Sequence, residues 1–228
     1  MANKSALLVW GGWDGHQPKE VAELLQGELL KHDFAVEVSD TLDAYLDEAK
    51  LKSLDLIVPL WTMGTIKQEQ LRPLLNAVKS GVGIGGVHGG MCDSFRNETE
   101  YQWMTGGQWV AHPGNDGIEY TVEIRDPDHF ITQGSPAVLA IKSEQYYLHV
   151  DPAVRVLATT RFPVAGVDGP HSKNGVVDMP TVWTKYWGEG RVFYNALGHQ
   201  ANVVAQPDVL NLTVRGLLWA AHAEGLAQ

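Results

Sequence analysis

The chain has 228 residues, with 27 acidic against 17 basic side chains and a formal charge of −10. Its 44% apolar and 19% charged residues give it the material for a folded core rather than a disordered tail, and its charge argues against a nucleic-acid partner, which needs clustered Lys and Arg. No apolar run reaches the roughly 18–20 residues that span a bilayer, and the opening residues lack a signal-peptide pattern. A lone cysteine, Cys92, excludes an intramolecular disulfide framework, so a cytoplasmic protein is expected.

Residues 5–10 are a short apolar run of strand length closed by Gly11 and Gly12. From Pro18, Val21, Leu24, Leu25 and Leu29 recur at helical spacing. Phe34, Val36 and Val38 alternate as in a strand with one wetter face, and residues 43–50 suggest a short helix. Residues 54–60 read as a buried strand with Pro59 expected at its end. Residues 67–80 read as a helix with Leu71, Leu74, Leu75 and Val78 inward, and Pro73 in its first turns or at a kink. Residues 82–87 form a glycine-diluted strand that runs directly into His88-Gly89-Gly90.

Strands alternating with amphipathic helices imply right-handed crossovers and a mainly parallel, doubly wound sheet. Residues 105–175 break this rhythm, with Gly, Pro, His and Asp around short strand-like pieces at 118–125, 138–142 and 154–160. They read as an elaborated β and loop region of one domain spanning residues 1–228, and long loops of this kind often carry function. Regular pattern returns at 181–187, at 191–197 and in a closing helix within 207–223, whose apolar side includes Trp219.

Eight Trp and nine His are the compositional oddity. In an open parallel sheet, ligands bind beyond the carboxyl ends of the strands. Trp13 and His16 follow the first strand, Trp61 the third, His88 the fourth and His199 the last, so four segments bring Trp or His to one edge. Trp109 and His112 lie in a loop segment after Gly106-Gly107, and Glu144 sits among Gln145, Tyr146 and Tyr147, where burial would tune a general acid or base. His129 reads as turn chemistry, and His32 and His222 as helix-end residues. No local metal motif exists, but a dispersed site from His88, His112, His199 and Glu144 suits zinc, manganese or iron. The glycines of residues 81–90 depart from a dinucleotide fingerprint and look instead like a nucleophile elbow with His88 at its apex. Cys92, four residues on, reads as a buried inert thiol.

Taken in order, Val87-His88-Gly89 with Ser94-Phe95, Tyr101, Gly106-Gly107, His112-Pro113, Asp128-His129, Glu144-Gln145-Tyr146-Tyr147, Pro180 with Trp183, and Gly190–Tyr194 leading to Leu197-Gly198-His199 resemble the trehalose-utilisation (ThuA-like) family. Phe130 and Gln145 depart from that family's pattern. The resemblance implies a flavodoxin-like α/β fold akin to class I glutamine amidotransferases, with His88 where those enzymes carry cysteine, which disfavours glutamine hydrolysis. It also implies sugar catabolism alongside enzymes that make 3-keto sugars. Trp13, Trp61, Trp109 and Trp183, with His16 and Tyr147, are then candidates to pack on and hydrogen-bond a sugar ring.

Three functions follow as expectations. The first is acid–base chemistry on a keto-glycoside, with His88 or Glu144 as base, His199 or His112 as acid, and a divalent ion at the enediolate. The second is non-catalytic sugar binding in the same pocket. The third is a residual amidohydrolase through Cys92. The expected partner is a small sugar, with no nucleic acid or membrane, and a homo-oligomer is the common state of such folds.

Overall fold

The computed structural model describes residues 4–227; residues 1–3 of the opening stretch, and residue 228, lie outside it. The apolar runs become strands where expected. β1 (Lys4–Gly12) is followed by α1 (Pro18–Lys31), and β2 (Phe34–Ser39) returns parallel to β1. The single helix expected near residue 43 is instead a 3-10 turn, Leu42–Tyr45, and a short α2 (Glu48–Lys52). Asp47 divides them because its carboxylate caps α2 by accepting from the Lys50 N–H at 3.0 Å. β3 (Leu56–Thr62), α3 (Gln68–Lys79) and β4 (Gly83–Val87) complete the first half.

Pro59 lies inside β3 rather than at its end. The ladder accommodates it because pairing to β4 stops at Ile57↔Ile84, whereas pairing to β1 continues to Gly12↔Thr62. The missing N–H therefore falls where no partner is required. The glycines of β4 have a packing cause. A Cβ on Gly83 would stand 2.2 Å from the Ala220 carbonyl oxygen, so only glycine lets the last helix lie this close to the sheet.

The chain continues through α4 (His88–Cys92) and α5 (Thr99–Thr105) into the elaborated middle. There it forms β5 (Gly107–Ala111), β6 (Ile118–Ile124), β7 (Val138–Ser143), β8 (Tyr147–Val150), β9 (Arg155–Phe162) and β10 (Val177–Trp187). β11 (Gly190–Asn195), α6 (Ala201–Val204) and α7 (Pro207–Ala220) close the chain.

Nine strands make one sheet in the order β2-β1-β3-β4-β11-β10-β9-β6-β7. Its first five are parallel, in the doubly wound order with β11 as fifth strand. The middle strands β10, β9, β6 and β7 extend that same sheet antiparallel. The segments around Trp109 and Tyr147, expected as loops, pair as β5 and β8 in a separate two-stranded sheet.

Alternate residues of β1 feed two cores: Ala6 and Leu8 pack with Val21, Leu25 and Leu29 of α1, and Leu7 and Val9 with Leu71, Leu74 and Val78 of α3. Both faces of the parallel half are thus covered, which explains its continuous apolar runs. Each such buried Leu or Val contributes about 1.5–3 kcal/mol. With both faces closed, the carboxyl edge is where the parallel half opens to a ligand. Among the described residues no helix is long and apolar enough to cross a membrane.

Candidate functional site

Each site histidine is placed by a strand end. After β1, a 3-10 turn (Asp14–His16) brings in His16, whose Nδ1 lies 2.8 Å from the Thr62 hydroxyl at the end of β3. After β4, His88 adopts φ +47°, a left-handed conformation that bulky residues rarely take, at the sharp strand-to-helix turn expected of an elbow. Its ring stacks on Tyr146 at 3.8 Å between centroids. After β11, His199 follows Gly198, whose φ of +122° turns the chain back toward the sheet edge.

Glu144 comes from further away, at the end of the edge strand β7. The chain leaves the sheet there and crosses back toward β5. The Tyr120 hydroxyl donates to the Glu144 carbonyl at 2.9 Å, and the Gln145 amide donates to Thr160 Oγ1 at 2.8 Å and to the Arg161 carbonyl at 2.9 Å. These bonds fix a buried carboxylate amid three imidazoles. Its Oε2 lies 3.1 Å from His88 Nε2, 3.3 Å from His199 Nδ1 and 4.0 Å from His16 Nε2. Its other oxygen, Oε1, lies 3.7 Å from His112 Nε2.

Protonation follows from these contacts. His88 Nδ1 is 2.8 Å from the Ala196 carbonyl oxygen, which only accepts, so Nδ1 carries the proton and Nε2 is bare in the neutral ring. Burial lowers the His88 pKa despite the contacts to Glu144 and Ala196 that favour its charged form. Burial alone would raise the Glu144 carboxyl, but His199 and His88 outweigh it and hold the group well below the usual carboxylate range. Burial works against protonation of His199 too, yet Glu144 wins and raises its pKa. His16, desolvated and beside His88 and His199, is lowered to about 3.

Two acceptors, His88 Nε2 and Glu144 Oε2, thus face one another at 3.1 Å. His199 Nδ1, 3.3 Å from Glu144 Oε2 without a hydrogen bond, is buried with no partner among the described residues. Donor atoms of His16, His88, His199 and Glu144 all lie within 4.8 Å of one another. Three imidazoles and one carboxylate, with the Nδ1 atoms of His88 and His16 held by the Ala196 carbonyl and the Thr62 hydroxyl, fit a zinc, manganese or iron ion. Beside this cluster opens a cavity of about 150 Å³ lined by Glu144, His112, Trp13, Trp109, Tyr146, Asp93 and Arg96.

The trehalose utilisation (ThuA) family model matches residues 5–220. The chain belongs to the ThuA family. No curated protein matches it in sequence. Its structure is similar to that of a ThuA-like protein from Bacteroides uniformis, at 19% identity over 95% of this chain and 91% of that one, with a TM-score of 0.77. It is also similar to a ThuA-like protein from Parabacteroides merdae, at 20% identity over 96% and 90%, TM-score 0.71. A cytoplasmic protein from Salmonella typhimurium follows at 13% identity over 95% and 98%, TM-score 0.66. These likenesses show the shared glutamine amidotransferase-like α/β fold.

Within this ThuA-family fold, His16, His88, His199 and Glu144 meet as one cluster, so His16 takes the place given to His112 in the dispersed metal site read from the sequence. His112 sits on the cavity side, against the opposite carboxylate oxygen. Trp13 and Trp109 line the cavity. Trp183 does not: it is fully buried, donates its Nε1–H to the Thr105 carbonyl at 3.0 Å and packs on Tyr194, making it a core residue. Trp61 is turned aside, its ring lying over Gly11 and Gly64. Tyr147 also points elsewhere, packing on Phe162 in a small separate pocket, and Tyr146 takes the position at the site. Cys92 is 1% exposed, and burial pushes its thiol pKa up, so it has neither the access nor the ionisation of a glutaminase nucleophile. Asp93 and Arg96 were not singled out from the sequence, although their opposite charges three residues apart, just after the elbow helix, were the available signal.

Proposed function

We propose that this ThuA-family protein is an enzyme of sugar catabolism that moves a proton at the carbon next to a ketone on a keto-glycoside. The observation that carries this reading is the convergence of three imidazoles and an ionised carboxylate, with bare His88 Nε2 and Glu144 Oε2 facing each other, beside a Trp-lined cavity. His16, His88, His199 and Glu144 would hold a divalent ion, which when bound supplies Lewis-acid stabilisation of an enediolate oxygen.

The chain's own groups divide the remaining work. His88 is 2% exposed, with Nδ1 held by the Ala196 carbonyl and Nε2 turned to Glu144 Oε2, so it faces the four-donor cluster rather than the ligand. Glu144, held strongly ionised, is a weak base. His112 lines the cavity with Nε2 near Glu144 Oε1, and is the proposed general base. A ketone at C3 acidifies the C2–H. His112 takes that proton as the C2–H electrons move toward the carbonyl. It then returns the proton either to carbon, giving exchange or isomerisation, or to the glycosidic oxygen as that C–O bond breaks, giving elimination. Trp13 and Trp109 supply apolar faces for the ring's C–H groups.

Incubation of the metal-reconstituted protein with a 3-keto-disaccharide in D2O tests this by NMR. Loss of the C2–H signal is expected, slowed about 100-fold or more in His112→Ala. Saturable binding of the keto sugar with no exchange, elimination or isomerisation would leave a sugar-binding protein instead.

A further inference from the structure

The cavity contains a built polar group that the proton chemistry does not use. Asp93 is buried, and Arg96 grips it with two parallel bonds, Nε to Oδ1 at 2.6 Å and Nη2 to Oδ2 at 2.9 Å. The guanidinium lies over the Trp109 ring, 4.5 Å from its centroid. The turn carrying the pair is held from several sides. The Asp93 carbonyl accepts from the Met63 N–H at 2.8 Å, and the Gln102 amide donates to the Arg96 carbonyl at 2.8 Å. Arg96 is therefore fixed in position while its side chain keeps 43% of its surface exposed. With one N–H each of Nε and Nη2 spent on Asp93, three N–H groups remain to donate, two on Nη1 and the second on Nη2. Trp109 Nε1 and His112 Nδ1 are buried without a partner among the described residues.

We propose that Asp93, Arg96 and Trp109 form the specificity-determining subsite of this protein, built for one uncharged six-membered sugar ring. The proposal rests on the sugar reading above and adds the class of sugar. Among the described residues Arg96 is the sole Lys or Arg lining the cavity, and its charge is offset by Asp93 in a bidentate pair. Among the described residues no unpaired Lys or Arg is left on this side of the cavity to grip a phosphate or sugar carboxylate. What remains is a rigid set of neutralised donors beside an aromatic face, suited to hydroxyl oxygens and ring C–H groups. The cavity, about 150 Å³, has room for one ring and not two. A second ring of a disaccharide then lies outward at Trp13, which is 46% exposed at the rim.

Tryptophan fluorescence titration of the full-length protein with D-glucose, trehalose and glucose 6-phosphate tests the subsite, repeated in Arg96→Lys, which keeps the charge but loses the fork and the stacking. Saturable binding of glucose and trehalose is expected, weakened by about tenfold or more in the variant, with glucose 6-phosphate binding no tighter than glucose. Zinc content of the variant should match wild type, because Arg96 lies outside the four-donor cluster, and this confirms an intact site. Equal sugar affinity in wild type and variant overturns the proposal, as does tighter binding of the phosphate, or no saturation by either neutral sugar. Arg96-dependent sugar binding without C2–H exchange would keep the subsite and defeat only the proton-transfer reading.

Discussion

Replacing His16 by Gln measures what it costs to keep a buried imidazole uncharged. In the folded protein, burial and then the neighbouring His88 and His199 bring its pKa from 6.5 to about 3, whereas in the unfolded chain it titrates near 6.5. As pH falls below about 6.5, the unfolded chain takes up a proton that the folded chain refuses, so stability falls with pH until the folded pKa is reached. At about pH 5 the interval is about 1.5 pK units, or about 2 kcal/mol at 1.36 kcal/mol per unit, and at about pH 7.5 it is close to nothing. Urea unfolding of chelator-treated wild type and His16→Gln at these two pH values gives the comparison. His88, lowered by burial, and His199, raised by Glu144, titrate in both proteins and largely drop out of the difference. Wild type should lose about 2 kcal/mol more than the variant on acidification. Equal losses, within about 0.5 kcal/mol, would refute a neutral buried His16.

Trp183→Phe should destabilise the fold by about 2–3 kcal/mol, because it leaves the buried Thr105 carbonyl without its donor and opens a small cavity. Calorimetry should show Tm lowered by roughly 4–12 °C with trehalose affinity unchanged, and weakened binding at unchanged Tm would restore Trp183 to the ligand site. Cys92 in the native protein should resist a thiol reagent that labels it fully in denaturant, and Cys92→Ala should alter no activity toward glutamine. Rapid labelling of the native thiol would contradict its burial.

The parallel half was legible because each of its signals is local. Continuous apolar runs fit a sheet covered on both faces, helical spacing fits α1 and α3, and the residues at the carboxyl ends of β1, β4 and β11 include His16, His88 and His199. What the sequence hid depends on long-range pairing. Nothing near Glu144 shows that β7 lies at the far edge of the sheet or that the chain crosses back through the Tyr120 and Gln145 bonds. Tyr146 and Tyr147 are adjacent, and only the start of β8 decides that Tyr146 faces His88 while Tyr147 packs on Phe162. Trp183 was drawn to the site by its aromatic type, but β10 is buried on both faces at that point, as residues 181–185 show. His112 was expected as a ligand and His16 as a sugar contact. Both line the cavity, but only His16 joins the four-donor cluster, and which Glu144 oxygen each approaches is a matter of ångströms that spacing does not encode.

Metal stoichiometry tests the central claim most directly. After reconstitution with zinc, manganese or iron and removal of free metal, elemental analysis should find about one ion per chain in wild type. Glu144→Gln and His88→Gln should lose it, whereas His112→Gln, outside the four-donor cluster, should keep it. Wild type that retains none of these metals, or retention undiminished in Glu144→Gln, would contradict a metal centre at His16, His88, His199 and Glu144.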